Sequence, residues 1–339
     1  MDLMKNRIPD KVKKVHLIAV CGTGMGALAA MLKELNFQVT GSDRNVYPPM
    51  STFLRQKDIS IKDGFSGENI AYGPDLVVVG NTIKKDNPEV KKMQEMGLHY
   101  CSMPQAINRF VAGGKKPILV AGTHGKTTTS SIMAWVLFCA GLDPSFFIGG
   151  ILRDFSGNYR LGKGEHIVIE GDEYDTAYFD KGPKFLHYEP SIGILTGIEF
   201  DHADIFSDID HMKAAFGEFI SRLPSTSTLL AFDGDENVSE LIQNSRCRVV
   251  RYGMNADSDW RLGAESIEPP WTNFEVFKKG RAFGTFKTRL VGEHNRINAL
   301  SVIAAADAMK IPGEVITESL ASFSGIKKRQ EVRGVKKEV

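Results

Sequence analysis

The stretch "ILVAGTHGKTTTSSIMAWVL" (118–137) sets a lysine and three threonines between a short apolar run and an apolar helical pattern, with a glycine turn joining them. That grouping has a definite chemistry. Backbone N–H groups from Gly125 to Thr128 can cradle phosphate oxygens. Lys126 can bridge the β- and γ-phosphates of a nucleoside triphosphate, and the Thr127 hydroxyl can hold Mg2+. The spacing departs from strict G-x-x-x-x-G-K-[ST], because Val120 stands where the pattern opens and the first glycine is Gly122. The shorter loop argues against the commonest GTPase and kinase classes. His124 reads here as a residue that shapes the loop.

Two acidic segments follow. "HIVIEGDEYD" brings Glu170 to the C-terminal end of an apolar run, then Asp172, Glu173 and Asp175, and "GILTGIEFDHADIF" places Asp201, His202 and Asp204 just past the next run. In a parallel sheet such ends converge beside the phosphate loop, so Glu170 and His202 can meet a second metal. Carboxylate suits Mg2+, whereas imidazole is an unusual ligand for so hard an ion. Asp172, Glu173 and Asp175 read equally well as a solvated acidic turn. Further on, "GEHNRINALSVIAAA" sets Asn295 and Asn298 one turn apart at a helix start. Asn295 either caps that helix or offers an amide that reads the donor and acceptor edges of adenine.

A second phosphate-type turn lies near the N-terminus. "VHLIAVCGTGMGALAAML" gives Gly22, Gly24 and Ala27 the G-x-G-x-x-G/A spacing, and Asp43 follows about twenty residues later. A tight turn there lets backbone N–H groups and a helix N-terminus approach a pyrophosphate, while the Asp43 carboxylate can take a sugar hydroxyl. NAD, FAD and a UDP-sugar all fit these residues, and so does a ligand-free turn that packs helix on strand. In "GNTIKKDNPEV", Asn81 and Thr82 fall at a strand's C-terminal end, where open α/β sheets bind ligands. Asn87-Pro88 reads as an N-cap followed by proline at the first helical position.

The elements that must position these residues alternate between short apolar runs and helical patterns, as in βαβ units around a parallel sheet. Runs at 15–20, 37–40 and 75–80 with helices near 25–35 and 88–96 make a first domain, 1–112. The basic connector "AGGKKP" (112–117) marks the boundary. A second series, 113–325, starts at 118–122 and continues through 166–171, 191–197 and 228–232. "FEVFKKGRAFGTFKTRLVG" reads as a hairpin with a glycine turn at an antiparallel edge. Helical periodicity returns at 295–309, with Ile297, Leu300, Ala304 and Ala308 on one face.

Bulk properties narrow the class. The 339 residues are 42% hydrophobic and 24% charged with a formal net charge of +1, which fits a globular chain of two or three domains. That balance offers no global attraction to nucleic acid or anionic membrane, so local features must hold any anionic ligand. Cys21, Cys101, Cys139 and Cys247 are too scattered for zinc-type spacing and imply a reducing setting. Residues 1–14 lack the apolar core of a signal peptide, and no apolar run reaches bilayer-spanning length. The expected compartment is the cytoplasm; oligomeric state is left open.

Taken together, "GTHGKTTT", Glu170, "DHADIF" and "GEHNRINALSVIAA" resemble the Mur ligase family over nearly the whole chain. The resemblance implies an α/β fold, with an N-terminal Rossmann-like domain and a central P-loop α/β ATPase domain with a parallel sheet. "HLIAVCGTGMGALA" with "GSD" resembles the branch that binds UDP-N-acetylmuramate, so Gly22, Thr23, Gly24, Met25, Asp43, Asn81 and Thr82 are expected on that substrate. "GSDRNVYPPMSTFL", "GDEYDTAYFDKGPKFLHY" and "EFDHADIFSDI" resemble the members that add L-alanyl-γ-D-glutamyl-meso-diaminopimelate more than those that add L-alanine. ATP would convert the muramate carboxylate to an acyl phosphate, which the peptide amine attacks.

By the same resemblance, ATP would be held by Gly122, Thr123, His124, Gly125, Lys126, Thr127, Thr128, Asn295 and Arg329. Lys126, Glu170 and His202 would be the catalytic set, with Thr127, Glu170 and His202 on Mg2+. Some members support a second metal with a carbamylated lysine, and Lys213 is the nearest candidate. "GIKKRQEVRGVKKEV" (325–339) resembles the hinge into a third domain, so 326–339 reads as that domain's stub. The chain is accordingly expected to bind both nucleotides yet ligate poorly alone. The rival readings are a nicotinamide-dependent dehydrogenase, which leaves "GTHGKTTT" unused, and a non-catalytic nucleotide-binding module.

Overall fold

The computed structural model describes residues 5–201 and 205–329. The chain divides into two compact units, one of Met1–Gly114 with Tyr174–Tyr188 and one of Lys115–Glu173 with Glu189–Val339.

In the first unit β1 (Lys14–Ile18), β2 (Gln38–Asp43), β3 (Ser60–Asp63), β4 (Leu76–Val79) and β5 (Tyr100–Ser102) make a sheet in the order β3-β2-β1-β4-β5. All pairings are parallel. The helices are α1 (Thr23–Glu34), α2 (Met50–Gln56), α3 (Pro88–Glu95) and α4 (Met103–Ile107). A parallel strand covered on both faces is apolar throughout, and β4 is buried at all four positions. α1 is likewise buried without a break from Met25 to Leu32. The chain leaves β1 toward β2 on one side and reaches β4 on the other. The C-terminal ends of β1 and β4 therefore flank the crevice where open α/β sheets take ligands.

The second unit starts with β6 (Lys116–Ala121), α5 (Lys126–Cys139), β7 (Ser145–Leu152), β8 (Gly157–Arg160) and β9 (His166–Glu170). Next come β10 (Asp175–Ala177) and β11 (Asp180–Pro183), a two-stranded hairpin that clusters with the first unit, although the sequence reading put it in the second domain. Its Tyr178 and Phe179 pack on the first unit's core, Phe179 edge-on to Tyr100 at 5.0 Å. The second unit resumes with β12 (Ile192–Leu195), α6 (Ile209–Arg222), β13 (Thr228–Phe232), α7 (Glu236–Leu241), β14 (Arg248–Gly253), β15 (Trp260–Glu268), β16 (Trp271–Lys278), β17 (Arg281–Thr288), α8 (Glu293–Ala308) and α9 (Gly313–Ser322).

Its ten strands run β17-β16-β15-β14-β13-β12-β6-β9-β7-β8. The interior pairings are parallel, and the two edges are antiparallel. The expected hairpin is β16–β17, and Lys279 and Gly280 in its turn both have positive φ (49° and 75°), as a type I′ turn requires. α8 differs from the one-sided pattern read in the sequence. It is buried continuously from Asn298 to Ala306, while Ala308 is exposed. The alanines let α8 lie close to α5, α9, β14 and β15, so no side of its middle faces water.

Candidate active site

In the first unit β1 ends in a turn that puts Ala19 at φ 68°. The N–H groups of Ala19 and Val20 both donate to the Ser42 carbonyl (2.9 and 3.0 Å). Gly22 then caps α1. Asp43 is almost fully buried, and its carboxylate holds this turn: Oδ2 accepts from Cys21 N (2.8 Å) and Oδ1 from Asn45 N (2.9 Å). Burial and the nearby Asp43 charge push the Cys21 thiol up to about 11. Around the turn lies a cleft of about 680 Å³, and Gly22, Met25, Asp43, Asn81 and Thr82 all line it. Thr23 and Gly24 sit in the first turn of α1, outside that lining.

The sequence did not mark Arg44, Tyr47 or Lys84, which also line the cleft and supply two cations and a ring. Nor did it mark Gly26, where a Cβ would come within 3.3 Å of the Val20 carbonyl and 2.3 Å of Met50 Cε. The close-packing position is therefore Gly26, one residue before the Ala27 of the spacing rule.

Behind the cleft is a polar cluster centred on the fully buried His16, Ser42 and Glu89. Glu89, in the first turn of α3, accepts from Ser42 Oγ (2.5 Å), Asn69 Nδ2 (2.6 Å) and Ser66 N (3.2 Å), with His16 Nε2 3.5 Å away. Burial raises the cost of its charge, but the contacts from His16, Ser42 and Asn69 outweigh this and hold Glu89 below its ordinary value of 4.5. Asn87 caps α3 by accepting from Glu89 N and Val90 N.

The second unit holds the other turn. Gly122 has φ 130°, and a Cβ there would meet Thr196 Oγ1 at 2.3 Å; Gly125 has φ 79°, and a Cβ there would meet Asn298 Oδ1 at 2.5 Å. Both positions call for glycine. From this turn α5 starts at Lys126, whose ammonium donates to the carbonyls of Gly122 (2.7 Å) and Thr123 (3.0 Å) and to Glu173 Oε1 (2.9 Å). Glu173 is only 2% exposed, so it does not lie in a solvated acidic turn. Its partner is 47 residues away, and only the three-residue offset from Glu170 hinted at it.

Thr127 Oγ1 donates to Glu170 Oε1 (2.7 Å), and Glu170 Oε2 accepts from Gly149 N (2.7 Å). A hydroxyl at the start of α5 and a carboxylate at the end of β9 are hard oxygen donors, the set that Mg2+ takes. Among the described residues no group of three or more His, Cys, Asp or Glu could hold a metal, and His202 lies outside them. Lys213 is paired with Glu240.

The other residues expected on the nucleotide surround this loop. Thr123 Oγ1 donates to the Glu199 carbonyl (3.1 Å) and accepts from Glu199 N (2.9 Å). His124 Nε2 is 3.4 Å from the Glu199 carboxylate, with both side chains exposed. Thr128 is half-buried in the first turn of α5. Asn295 does not cap α8, because Gly292 occupies that place; its buried Nδ2 donates to the Val291 carbonyl (2.8 Å). Arg329 is exposed on the segment that crosses the end of β7, where Lys327 N donates to the Ile151 carbonyl (3.0 Å). Ile326 in that segment is close enough to Thr127 that a Cβ on Gly150 would meet both, at 2.8 and 2.7 Å.

Known proteins resemble this chain in sequence and in fold. The profile of the Mur ligase middle domain matches residues 120–306, and that described as the Mur ligase family, catalytic domain matches residues 14–115. The UDP-N-acetylmuramate--L-alanyl-gamma-D-glutamyl-meso-2,6-diaminoheptandioate ligase of Haemophilus influenzae is 39% identical over 95% of this chain and 71% of its own length. The UDP-N-acetylmuramate--L-alanine ligase of Myxococcus xanthus is 35% identical over 98% of this chain and 69% of its own length. A crystal structure of a UDP-N-acetylmuramate:L-alanyl-gamma-D-glutamyl-meso-diaminopimelate ligase from Neisseria meningitides superposes with a TM-score of 0.88 at 36% identity. That match covers 94% of this chain and 100% of the other. Profile, sequence and fold agree, and the chain belongs to the Mur ligase family.

Proposed function

We propose that this chain is a ligase that uses ATP to join the carboxylate of UDP-N-acetylmuramate to the amine of L-alanyl-γ-D-glutamyl-meso-diaminopimelate. The observation that carries the reading is the phosphate loop itself: the Lys126 ammonium at the start of α5, beside the Thr127–Glu170 pair. The tripeptide is favoured over L-alanine because relatives named for it are 39% and 37% identical, against 35% and 33% for relatives named for L-alanine.

The chemistry must bring two anions together. The muramate carboxylate attacks the γ-phosphorus of ATP, ADP leaves, and an acyl phosphate results. The peptide amine then adds to the acyl carbon, loses a proton and expels phosphate. Lys126 and the backbone N–H groups from Gly125 to Thr128 hold negative charge on the transferring group, the main protein contribution to phosphoryl transfer. Gly122, Thr123 and His124 shape the loop, and Asn295 and Arg329 are assigned to the nucleotide. Mg2+, held by Thr127 and Glu170 with His202, would offset phosphate charge. The first unit's cleft takes the UDP-sugar through Gly22, Met25, Asp43, Asn81 and Thr82, with Thr23 and Gly24 at the start of α1. Four free thiols support a reducing, cytoplasmic setting, and no described helix is long and apolar enough to cross a membrane.

The test supplies purified chain with ATP, UDP-N-acetylmuramate and either the tripeptide or L-alanine, and follows the amide product by mass spectrometry together with ADP release. Product with the tripeptide above that with L-alanine is expected. Product with L-alanine alone would sink the tripeptide assignment. Binding of both nucleotides without product from either amine would favour the non-catalytic reading.

A further inference from the structure

An ammonium group has three N–H donors. In Lys126 two go to loop carbonyls, Gly122 and Thr123, and the third faces both oxygens of Glu173, each 2.9 Å from Nζ. The loop carbonyls are fixed by the turn itself. The carboxylate is the exchangeable partner, and chemically it resembles what the loop is shaped to receive: an anionic oxygen pair facing an ammonium at the N-terminus of a helix. Glu173 is 2% exposed, so a phosphate that approaches Lys126 cannot leave Glu173 in place. Two anions would then share one ammonium with little water to screen them.

We propose that Glu173 is an internal competitor for the phosphate cradle, a carboxylate that a terminal phosphoryl group must displace from Lys126. This rests on the nucleotide reading above and deepens it. Charge density then sets selectivity. A di- or triphosphate brings enough negative charge to Lys126 to release Glu173, whereas a monophosphate, whose single phosphate is next to the ribose, gains nothing from the exchange. Release of Glu173 from Lys126 also frees the backbone that the Lys126–Glu173 contact holds, so residues beside Glu173 are where the exchange would be read.

The test compares wild type with Glu173→Gln, which keeps the shape and removes the charge, by calorimetric titration with ATP, ADP and AMP. The expected result is roughly tenfold tighter ATP and ADP binding by the variant, with AMP unchanged. A residue that merely braces the loop would give the opposite sign, with all three ligands weakened. ATP binding by a folded variant that is equal to or weaker than wild type overturns the proposal. Should Glu173→Gln fail to fold, amide hydrogen exchange in the wild type decides: residues 172–176 should exchange faster with ATP than with AMP, and equal exchange overturns the proposal. Failure of wild type to bind ATP at all would overturn the nucleotide reading as well.

Discussion

At the end of β1 the chain turns into α1 through Gly22, and at the end of β6 it turns into α5 through Gly125. Each turn lies at a strand end in a parallel sheet, and each has a buried carboxylate beside it. In the first turn the carboxylate is held by backbone donors: Asp43 accepts from Cys21 N in the turn and from Asn45 N just after β2. In the second, the carboxylate is set against a cation, Glu173 on Lys126. The first turn has no lysine and keeps ordinary backbone dihedrals at Gly22 (φ −66°). The second needs left-handed backbone at Gly125 and aims an ammonium into its own loop. On the function proposed above, the first would lie alongside an anion of modest charge density, and the second would bind and polarise a transferring phosphate.

Removal of the lysine should break this contrast most severely. Lys126→Met deletes the ammonium but keeps the apolar stem. ATP-dependent product formation should fall about 10³-fold, while UDP-N-acetylmuramate binding, measured by calorimetry, stays at the wild-type level. Loss of both activities together would mean that the two turns do not divide the work as argued.

A gentler test places one methyl group on each turn. At Gly125 a Cβ would sit 2.5 Å from Asn298 Oδ1 on a backbone with φ 79°, whereas at Gly22 its nearest neighbours are 3.7 and 4.0 Å away. Gly125→Ala should therefore weaken ATP binding about tenfold or more, and Gly22→Ala should leave UDP-N-acetylmuramate binding little changed. Equal losses would show that the first turn also depends on its glycine for close approach to ligand.

What the sequence revealed follows the same division. Both turns were legible because their residues are contiguous: a strand, a glycine and a helix start within ten positions. Asp43 was legible from spacing, but its bond from Cys21 N was not, since that depends on how β2 aligns with β1. Glu173 looked like part of a solvated acidic turn, because nothing local shows that Lys126 lies over it. The hairpin at 175–183 was placed in the second domain for a related reason. Its Tyr178 and Phe179 mark a buried segment without showing whose core buries it. α8 misled by composition: alanine allows close approach on every side, and the one-sided pattern read from Ile297 to Ala308 did not survive packing.

The smallest effect on activity, and the one that isolates the scaffold behind the first turn, should come from Glu89. It joins α3 to β2 through Ser42 and lies against His16 on β1, with no exposed atoms in the His16–Glu89 pair. Glu89→Gln keeps the shape but misplaces a donor among donors, at a cost of about 2 kcal/mol. Because the folded state holds Glu89 below 4.5, its charge contributes fully to stability above that pH. The contribution is lost as pH falls through the depressed value. Thermal melts of wild type and Glu89→Gln should therefore differ most near neutral pH and converge as pH falls through that depressed value. UDP-N-acetylmuramate binding by the folded variant should change little, since Glu89 is behind the cleft and does not line it. A gap that stays constant from neutral pH down to acid unfolding would mean that the cluster acts through packing and hydrogen-bond shape, with the Glu89 charge contributing nothing.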